Sequence, residues 1–140
     1  MWTPAELDIV AMKRASLELY GLHDFASFCR AKPRATTIRE LREVNICRNL
    51  DDFNVIEVEL IADAFCHTMV RSIMGGLVAA GQGKATPQDV ADTLARKSRV
   101  DCFKVQPANG LTLMQIGYPP EEEMGAQAER TRALRLIDDN

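Results

Sequence analysis

The chain has 140 residues, of which 46% are hydrophobic and 26% charged, and its formal net charge is −3. This size and balance are typical of one folded domain and exclude collagen-like, low-complexity and disulfide-scaffold proteins. No apolar run approaches the roughly 20 residues that span a bilayer, and the first residues lack the features of a signal peptide, so we expect a cytoplasmic protein with no membrane contact.

The first part of the chain predicts a helix followed by a loop. Thr3-Pro4 is typical of a helix start, and apolar residues at helical spacing predict that the helix covers residues 4–20. Residues 23–34 show no clean period and end at a proline. We therefore predict an irregular loop there, which carries the aromatic pair Phe25 and Phe28.

An antiparallel hairpin is predicted next. Residues 36–48 are rich in β-branched side chains, residues 49–52 have turn chemistry, and residues 53–61 alternate between apolar and polar positions. The apolar positions on the two strands are Ile38, Val44, Ile46, Ile56, Val58 and Leu60. Because the connection is short, the strands can pair without a distant segment.

Two helices and a third strand complete the predicted order. Asp63 can cap a helix over residues 64–80, which is apolar nearly all round and must therefore be buried between layers. Thr86-Pro87 predicts a third helix as far as residue 97, and residues 111–118 have the pattern of a strand. The fold class is thus α+β, an antiparallel sheet covered on one face by helices. Since a three-stranded sheet leaves open edges, we expect an incomplete or oligomeric unit.

Charge is unevenly distributed along the chain. Residues 30–48 contain six bases and two acids, whereas residues 119–140 contain six acids and three arginines. The basic segment is compatible with a phosphate-facing surface or with a solvent-exposed hairpin, and composition leaves both open.

Metal binding is not indicated by the spacing of the cysteines and histidines. The four cysteines form no Cys-x-x-Cys pair, and the two histidines, His23 and His67, are far apart. We predict four reduced thiols that pack as small apolar side chains.

His67 and Arg71 lie one turn apart on the predicted buried helix. An arginine keeps its charge at neutral pH, so Arg71 needs an anion. Pattern alone favours an internal ion pair with an acid such as Asp24 or Glu59, and an external anion is the alternative. For His67 a neutral, hydrogen-bonded core histidine is favoured over a general base. We expect Asp24 to satisfy nearby backbone groups.

Four stretches form an ordered set. They are Gly21–Phe25 with Ser27–Cys29, Thr37–Arg39, Phe65–Gly75, which reads Phe-x-His-x-Met-Val-Arg-x-Ile-x-Gly, and Ala108–Leu113. Over residues 4–120 this set resembles the motifs of the tRNA pseudouridine synthases of the TruA family. The resemblance implies that residues 1–120 form the C-terminal half of such a synthase domain, followed at residues 121–140 by an acidic tail, helical or mobile.

The resemblance also implies an activity, namely isomerisation of uridine to pseudouridine in the anticodon stem-loop of tRNA, without metal or organic cofactor, by a homodimer. The family's catalytic aspartate lies in an Arg-Thr-Asp-like motif of the N-terminal half, and Arg99-Val100-Asp101 lacks that context. We therefore expect the chain to be inactive without that half. The alternatives are a stand-alone RNA-binding module and a structural module that dimerises through its sheet edge.

The matching motifs assign roles to individual residues. Arg71 is expected to pair with the aspartate that this chain lacks, Leu111 to pack beside the target base, and Phe65 and His67 to support the pocket. The basic segment is expected to contact RNA phosphates through Arg34, Arg39 and Arg42.

Overall fold

The computed structural model describes residues 6–51, 53–100 and 102–114. The helices are α1 (Ile9–Ser16), α2 (Met69–Gly81) and α3 (Pro87–Arg96), and the strands are β1 (Gly21–Asp24), β2 (Ile38–Asn49) and β3 (Val55–Ala62). Short 3-10 turns cover Leu17–Leu19 and Ala26–Phe28. The strands form one antiparallel sheet in the order β1-β2-β3, which confirms the predicted α+β class. No described helix is long and apolar enough to cross a membrane.

The β2–β3 hairpin follows the predicted alternation, with one irregularity. Along β3 the even-numbered residues are partly buried, whereas Glu57 and Glu59 on the other face are exposed. A bulge between Leu41 and Glu43 shifts the register of β2. Leu41 is therefore buried on the same strand as Val44, although their positions differ in parity.

The third strand of the sheet differs from the prediction. β1 lies at the start of the predicted loop and pairs with β2, where Gly21 opposes Leu41 and Asp24 opposes Ile38. Four residues have too little alternation to indicate a strand alone, and β1 is fixed by its partner. Residues 111–114 of the predicted strand are not in a sheet, and residues 115–118 lie outside the described ranges. Among the described residues no strand pairs with 111–114, so their backbone has no ladder to join.

Two of the three predicted helix starts were wrong. α1 is capped by Asp8, whose Oδ1 accepts a hydrogen bond from Ala11 N at 3.2 Å, and residues 6–8 are not helical. Asp63 does not cap α2, because its Oδ1 accepts from the backbone N of Glu40 at 3.0 Å, and α2 begins at Met69. By contrast, α3 starts with the predicted cap on Thr86.

α2 is buried as its composition predicts, with nine of its thirteen residues in the core. Gly75 and Gly76 allow a close approach, because a Cβ on Gly75 would lie 2.0 Å from the carbonyl oxygen of Lys104. On Gly76 a Cβ would lie 3.1 Å from the Phe103 ring. The two glycines therefore serve packing, and they hold residues 103–106 against the helix.

The prediction of four separate thiols was wrong for one pair. Cys29 and Cys66 are joined in a disulfide, with their Cα atoms 5.7 Å apart. The backbone N of Arg30 donates to the carbonyl oxygen of His67 at 2.8 Å, and this contact brings the two chain segments side by side. Because the pair is separated by 37 residues, sequence spacing carries no signal of it. Cys47 and Cys102 lie outside this disulfide: Cys47 is exposed, and Cys102 Sγ donates to the carbonyl oxygen of Ser98 at 3.0 Å.

The boundary predicted at residue 120 and the acidic tail lie outside the described residues.

Candidate functional site

Arg71 lies in the first turn of α2, and the segment before it is held by several contacts. Thr68 adopts a left-handed backbone conformation with φ of 68°, which is uncommon for a β-branched residue. Its Oγ1 donates to the carbonyl oxygen of Phe28 at 3.4 Å, and Met69 N donates to Cys66 O at 3.1 Å. The start of α2 is thus tied to the 3-10 turn that follows β1.

The side chain of Arg71 has no internal anion among the described residues. Arg71 is partly buried, and its Nε is buried without a hydrogen-bond partner. The internal ion pair favoured by pattern is therefore wrong for both acids. Asp24 Oδ1 instead accepts from Ala26 N and Thr37 Oγ1, the backbone and loop role expected of it, and Glu59 Oε2 accepts from Asn45 at 3.2 Å. A guanidinium with a buried, unpaired nitrogen is suited to receive an anion from outside.

Phe65 and His67 lie in the segment that leads into α2, and both side chains are exposed. The prediction of a core histidine was wrong for His67: α2 begins at Met69, five residues after the predicted start, so His67 precedes the helix and is exposed. Both side chains are accessible to a ligand that approaches the start of α2.

Leu111 lies in the segment that follows α3 and passes α2. Gln106 N donates to the carbonyl oxygen of Arg71 at 3.1 Å, which anchors this segment to the first turn of α2. Leu111 follows a turn closed by its own N, which donates to Ala108 O at 3.0 Å, and its side chain is 52% exposed. The described contacts therefore place the Leu111 segment beside α2 and leave its side chain open to a ligand.

The three predicted phosphate contacts differ in their surroundings. Arg34 is exposed, and its backbone is left-handed with φ of 62°. Arg39 Nη1 donates to its neighbour Ile38 O at 2.7 Å. Arg42 Nε forms an ion pair of 2.9 Å with Glu40, and both side chains are about half exposed. Arg39 and Arg42 therefore already form polar contacts within the chain.

One arginine that lies near the site was not singled out by the sequence. Arg99 Nη1 donates to Thr68 Oγ1 at 3.0 Å, directly at the start of α2. The backbone N of Ser98 donates to Ser27 Oγ at 3.1 Å, which fixes this segment after α3. The contact joins residues 31 apart, and no local pattern indicates it.

A cavity of about 400 Å³ lies elsewhere, between β1 and α3. Its lining includes Leu22, His23, Asp24 and Leu94, and none of the predicted site residues. Among the described residues, no group of three or more His, Cys, Asp or Glu is arranged to hold a metal ion.

Comparisons with known proteins relate the chain to one family. Residues 15–119 match the family model described as tRNA pseudouridine synthase. The tRNA pseudouridine synthase A of Leifsonia xyli is 46% identical over 136 residues, which are 97% of this chain and 46% of the relative. The proteins of the same name from Frankia casuarinae and Mycobacterium leprae are 47% and 43% identical, over 95% and 94% of this chain and 48% and 45% of their own lengths. The chain thus spans about half the length of the curated relatives it matches.

Proposed function

The chain belongs to the tRNA pseudouridine synthase family, and we propose that its residues form the half of such an enzyme that completes the active site and contacts tRNA. The catalytic aspartate comes from the N-terminal half, outside these 140 residues. The joined enzyme isomerises uridine to pseudouridine in the anticodon stem-loop, in the cytoplasm and as a homodimer. The 140-residue chain alone is inactive.

The observation that carries this proposal is the buried Nε of Arg71, which has no partner among the described residues. A charged group that loses water without gaining a partner costs free energy, about 1–3 kcal/mol for one unsatisfied polar atom. An aspartate carboxylate that docks from the N-terminal half offsets this cost, because carboxylate and guanidinium form charge-assisted hydrogen bonds.

Exposed apolar side chains near the site support a missing partner surface. Leu113 and Met114 are 72% and 80% exposed, and Val100 is also exposed. Residues 111–114 begin a segment with the sequence pattern of a strand, but they pair with no described strand. This is accounted for if the second half supplies the neighbouring strand. In this proposal residues 111–114 become part of a strand when the two halves join.

The arrangement around Arg71 is suited to a base that leaves its stack. Flipping a uridine out of RNA costs a few kcal/mol, which stacking and polar contacts in a pocket offset. Leu111 and Phe65 supply apolar surface to the flipped base, and His67 supports the pocket wall. Arg71 orients the aspartate, whether that carboxylate attacks the base or abstracts a proton from the ribose.

Arginines of the basic segment contact RNA phosphates in this proposal. Arg34 is the most available of the three, because Arg42 must exchange its ion pair with Glu40 for a phosphate. An exposed pair of this kind is worth only about 0.2–1 kcal/mol, so the exchange is cheap. Arg39 contributes chiefly by holding the start of β2.

The test compares the 140-residue chain with a chimera that joins it to the N-terminal half of the Leifsonia xyli relative. Pseudouridine in an unmodified tRNA transcript is measured for both. We expect activity only in the chimera, and loss of at least about 100-fold in its Arg71→Lys variant, because lysine lacks the planar fork. The control is Arg96→Lys, at an exposed position on α3. Activity of the 140-residue chain alone, or full activity of the Arg71→Lys chimera, contradicts the proposal.

A further inference from the structure

Two arginines from distant parts of the sequence form hydrogen bonds with neighbouring residues just before α2. The backbone N of Arg30 donates to His67 O at 2.8 Å, and Arg99 Nη1 donates to Thr68 Oγ1 at 3.0 Å. Both arginines are exposed. We propose that Arg30 and Arg99 form a binding site for an RNA backbone phosphate, next to Arg71, and this inference rests on the proposed function.

The position of Arg99 is set by contacts that do not involve a ligand. Ser98 N donates to Ser27 Oγ at 3.1 Å, and Thr68 Oγ1 in turn donates to Phe28 O at 3.4 Å. One guanidinium nitrogen is used by Thr68, and the remaining N–H groups are available to an anion. A preorganised arginine loses less conformational entropy when a phosphate binds.

The positive charges of Arg30 and Arg99 have no nearby anion in the part of the chain that the structure describes. Among the described residues, no carboxylate lies within 4.0 Å of the guanidinium of Arg30 or Arg99, since the one ion pair there joins Arg42 to Glu40. α2 has no acid in its first turn and no side-chain cap, so the partial positive charge of its first N–H groups adds to that of the arginines. Arg71, with its own unpaired Nε, lies in the same turn. Mutually repelling positive groups of this kind are stabilised by a bound anion.

A phosphodiester is the anion that fits both the exposure and the place of these arginines. Exposed arginines with free N–H groups are the usual donors to RNA phosphates, and they grip the backbone without reading sequence. Thr68 precedes Arg71 by three residues, so a phosphate bound here belongs to RNA that also reaches the Arg71 pocket. The site therefore holds the RNA strand close to the flipped nucleotide. Arg42, by contrast, forms its ion pair with Glu40 on the hairpin.

The experiment measures binding of an unmodified tRNA transcript to the 140-residue chain by fluorescence anisotropy at several salt concentrations. The variants are Arg30→Gln, Arg99→Gln and the double variant, with Arg14→Gln, at an exposed position on α1, as the matched control. We expect each single variant to lower affinity about tenfold and to reduce the slope of log affinity against log salt by about 1. The control should change affinity less than about twofold, because Arg14 belongs neither to the proposed site nor to the basic segment.

The thermal unfolding midpoint of every variant is measured alongside, and Arg99→Lys is added to keep the charge if Arg99→Gln unfolds. Binding by the double variant that equals that of the unsubstituted chain overturns the inference and leaves the proposed function standing. A larger loss in Arg14→Gln than in the double variant also overturns it. Absence of tRNA binding by the unsubstituted chain overturns the inference, and pseudouridine formation by the chimera then decides the proposed function separately.

Discussion

The carbonyl oxygen of Lys104 lies so close to Gly75 that a Cβ at this position would be 2.0 Å from it. The Gly75→Ala variant must therefore move the backbone around Lys104 away from α2. Overpacking of this kind typically costs about 1–3 kcal/mol, and we expect the upper end of that range because backbone has to move. The free energy of unfolding in urea is the measurement.

Gly76→Ala is the matched control for this prediction. Its Cβ would lie 3.1 Å from a ring carbon of Phe103, and a side chain can shift by a few tenths of an ångström more easily than backbone. Gly76→Ala should destabilise the chain clearly less than Gly75→Ala. Equal losses for the two variants would show that residues 103–106 are not held against α2 as described.

Tyr20 completes the backbone hydrogen bonding of β2 beyond the end of β1. Its Oη accepts from Val44 N at 2.9 Å and donates to Val44 O at 3.1 Å. The Tyr20→Phe variant leaves both groups of Val44 without this partner, and we expect a loss of about 1–3 kcal/mol in the free energy of unfolding. Amide hydrogen exchange should accelerate at Val44 in particular. Unchanged exchange at Val44 would contradict the role given to the phenol.

The elements that sequence predicted well are those determined by local interactions. Thr86 caps α3 through Asp89, three residues later, and both groups of the capping box are visible in the sequence. The hairpin is likewise defined by alternation and a short turn. β1 could not be predicted in this way, because four residues become a strand only through pairing with β2. The bulge at Leu41 is equally a property of the pairing.

The residues of the candidate site also differ in whether the sequence alone could indicate them. Arg71 could be singled out because a permanent charge within an apolar helix is an anomaly in the sequence itself. Arg99 could not, since its contact with Thr68 depends on how the segment after α3 packs against Ser27. The family motifs indicated Phe65 and His67, but the start of α2 at Met69, which leaves both exposed, is a tertiary result.

The pairing of Cys29 with Cys66 predicts a specific thiol count. After mild oxidation by a small disulfide, the denatured chain should show two titratable thiols, and after full reduction it should show four. The Cα separation of 5.7 Å is within the range that disulfides span. Closing a loop of 37 residues should stabilise the chain by about 3–4 kcal/mol relative to the reduced form.

Single substitutions separate this pair from the other cysteines. Cys47→Ser should keep the stability difference between the oxidised and reduced forms, because Cys47 is an exposed free thiol. Cys29→Ser should abolish the difference. Four titratable thiols in the wild-type chain after oxidation, or a difference that persists in Cys29→Ser, would exclude the intramolecular bond.

Replacement of Arg71 should not destabilise the 140-residue chain, in contrast to the loss of activity expected in the chimera. Arg71→Met removes a guanidinium whose Nε is buried without a partner and keeps an apolar side chain of moderate length in its place. In the 140-residue chain we expect the free energy of unfolding to stay constant or to rise by up to about 1 kcal/mol. Arg48→Met is the contrasting variant, because Arg48 Nη2 donates to Leu7 O at 2.8 Å, and its loss should cost about 1.5–3 kcal/mol. A destabilisation of Arg71→Met by about 3–5 kcal/mol would mean that this chain already supplies the anion, since that is the cost of breaking a buried pair.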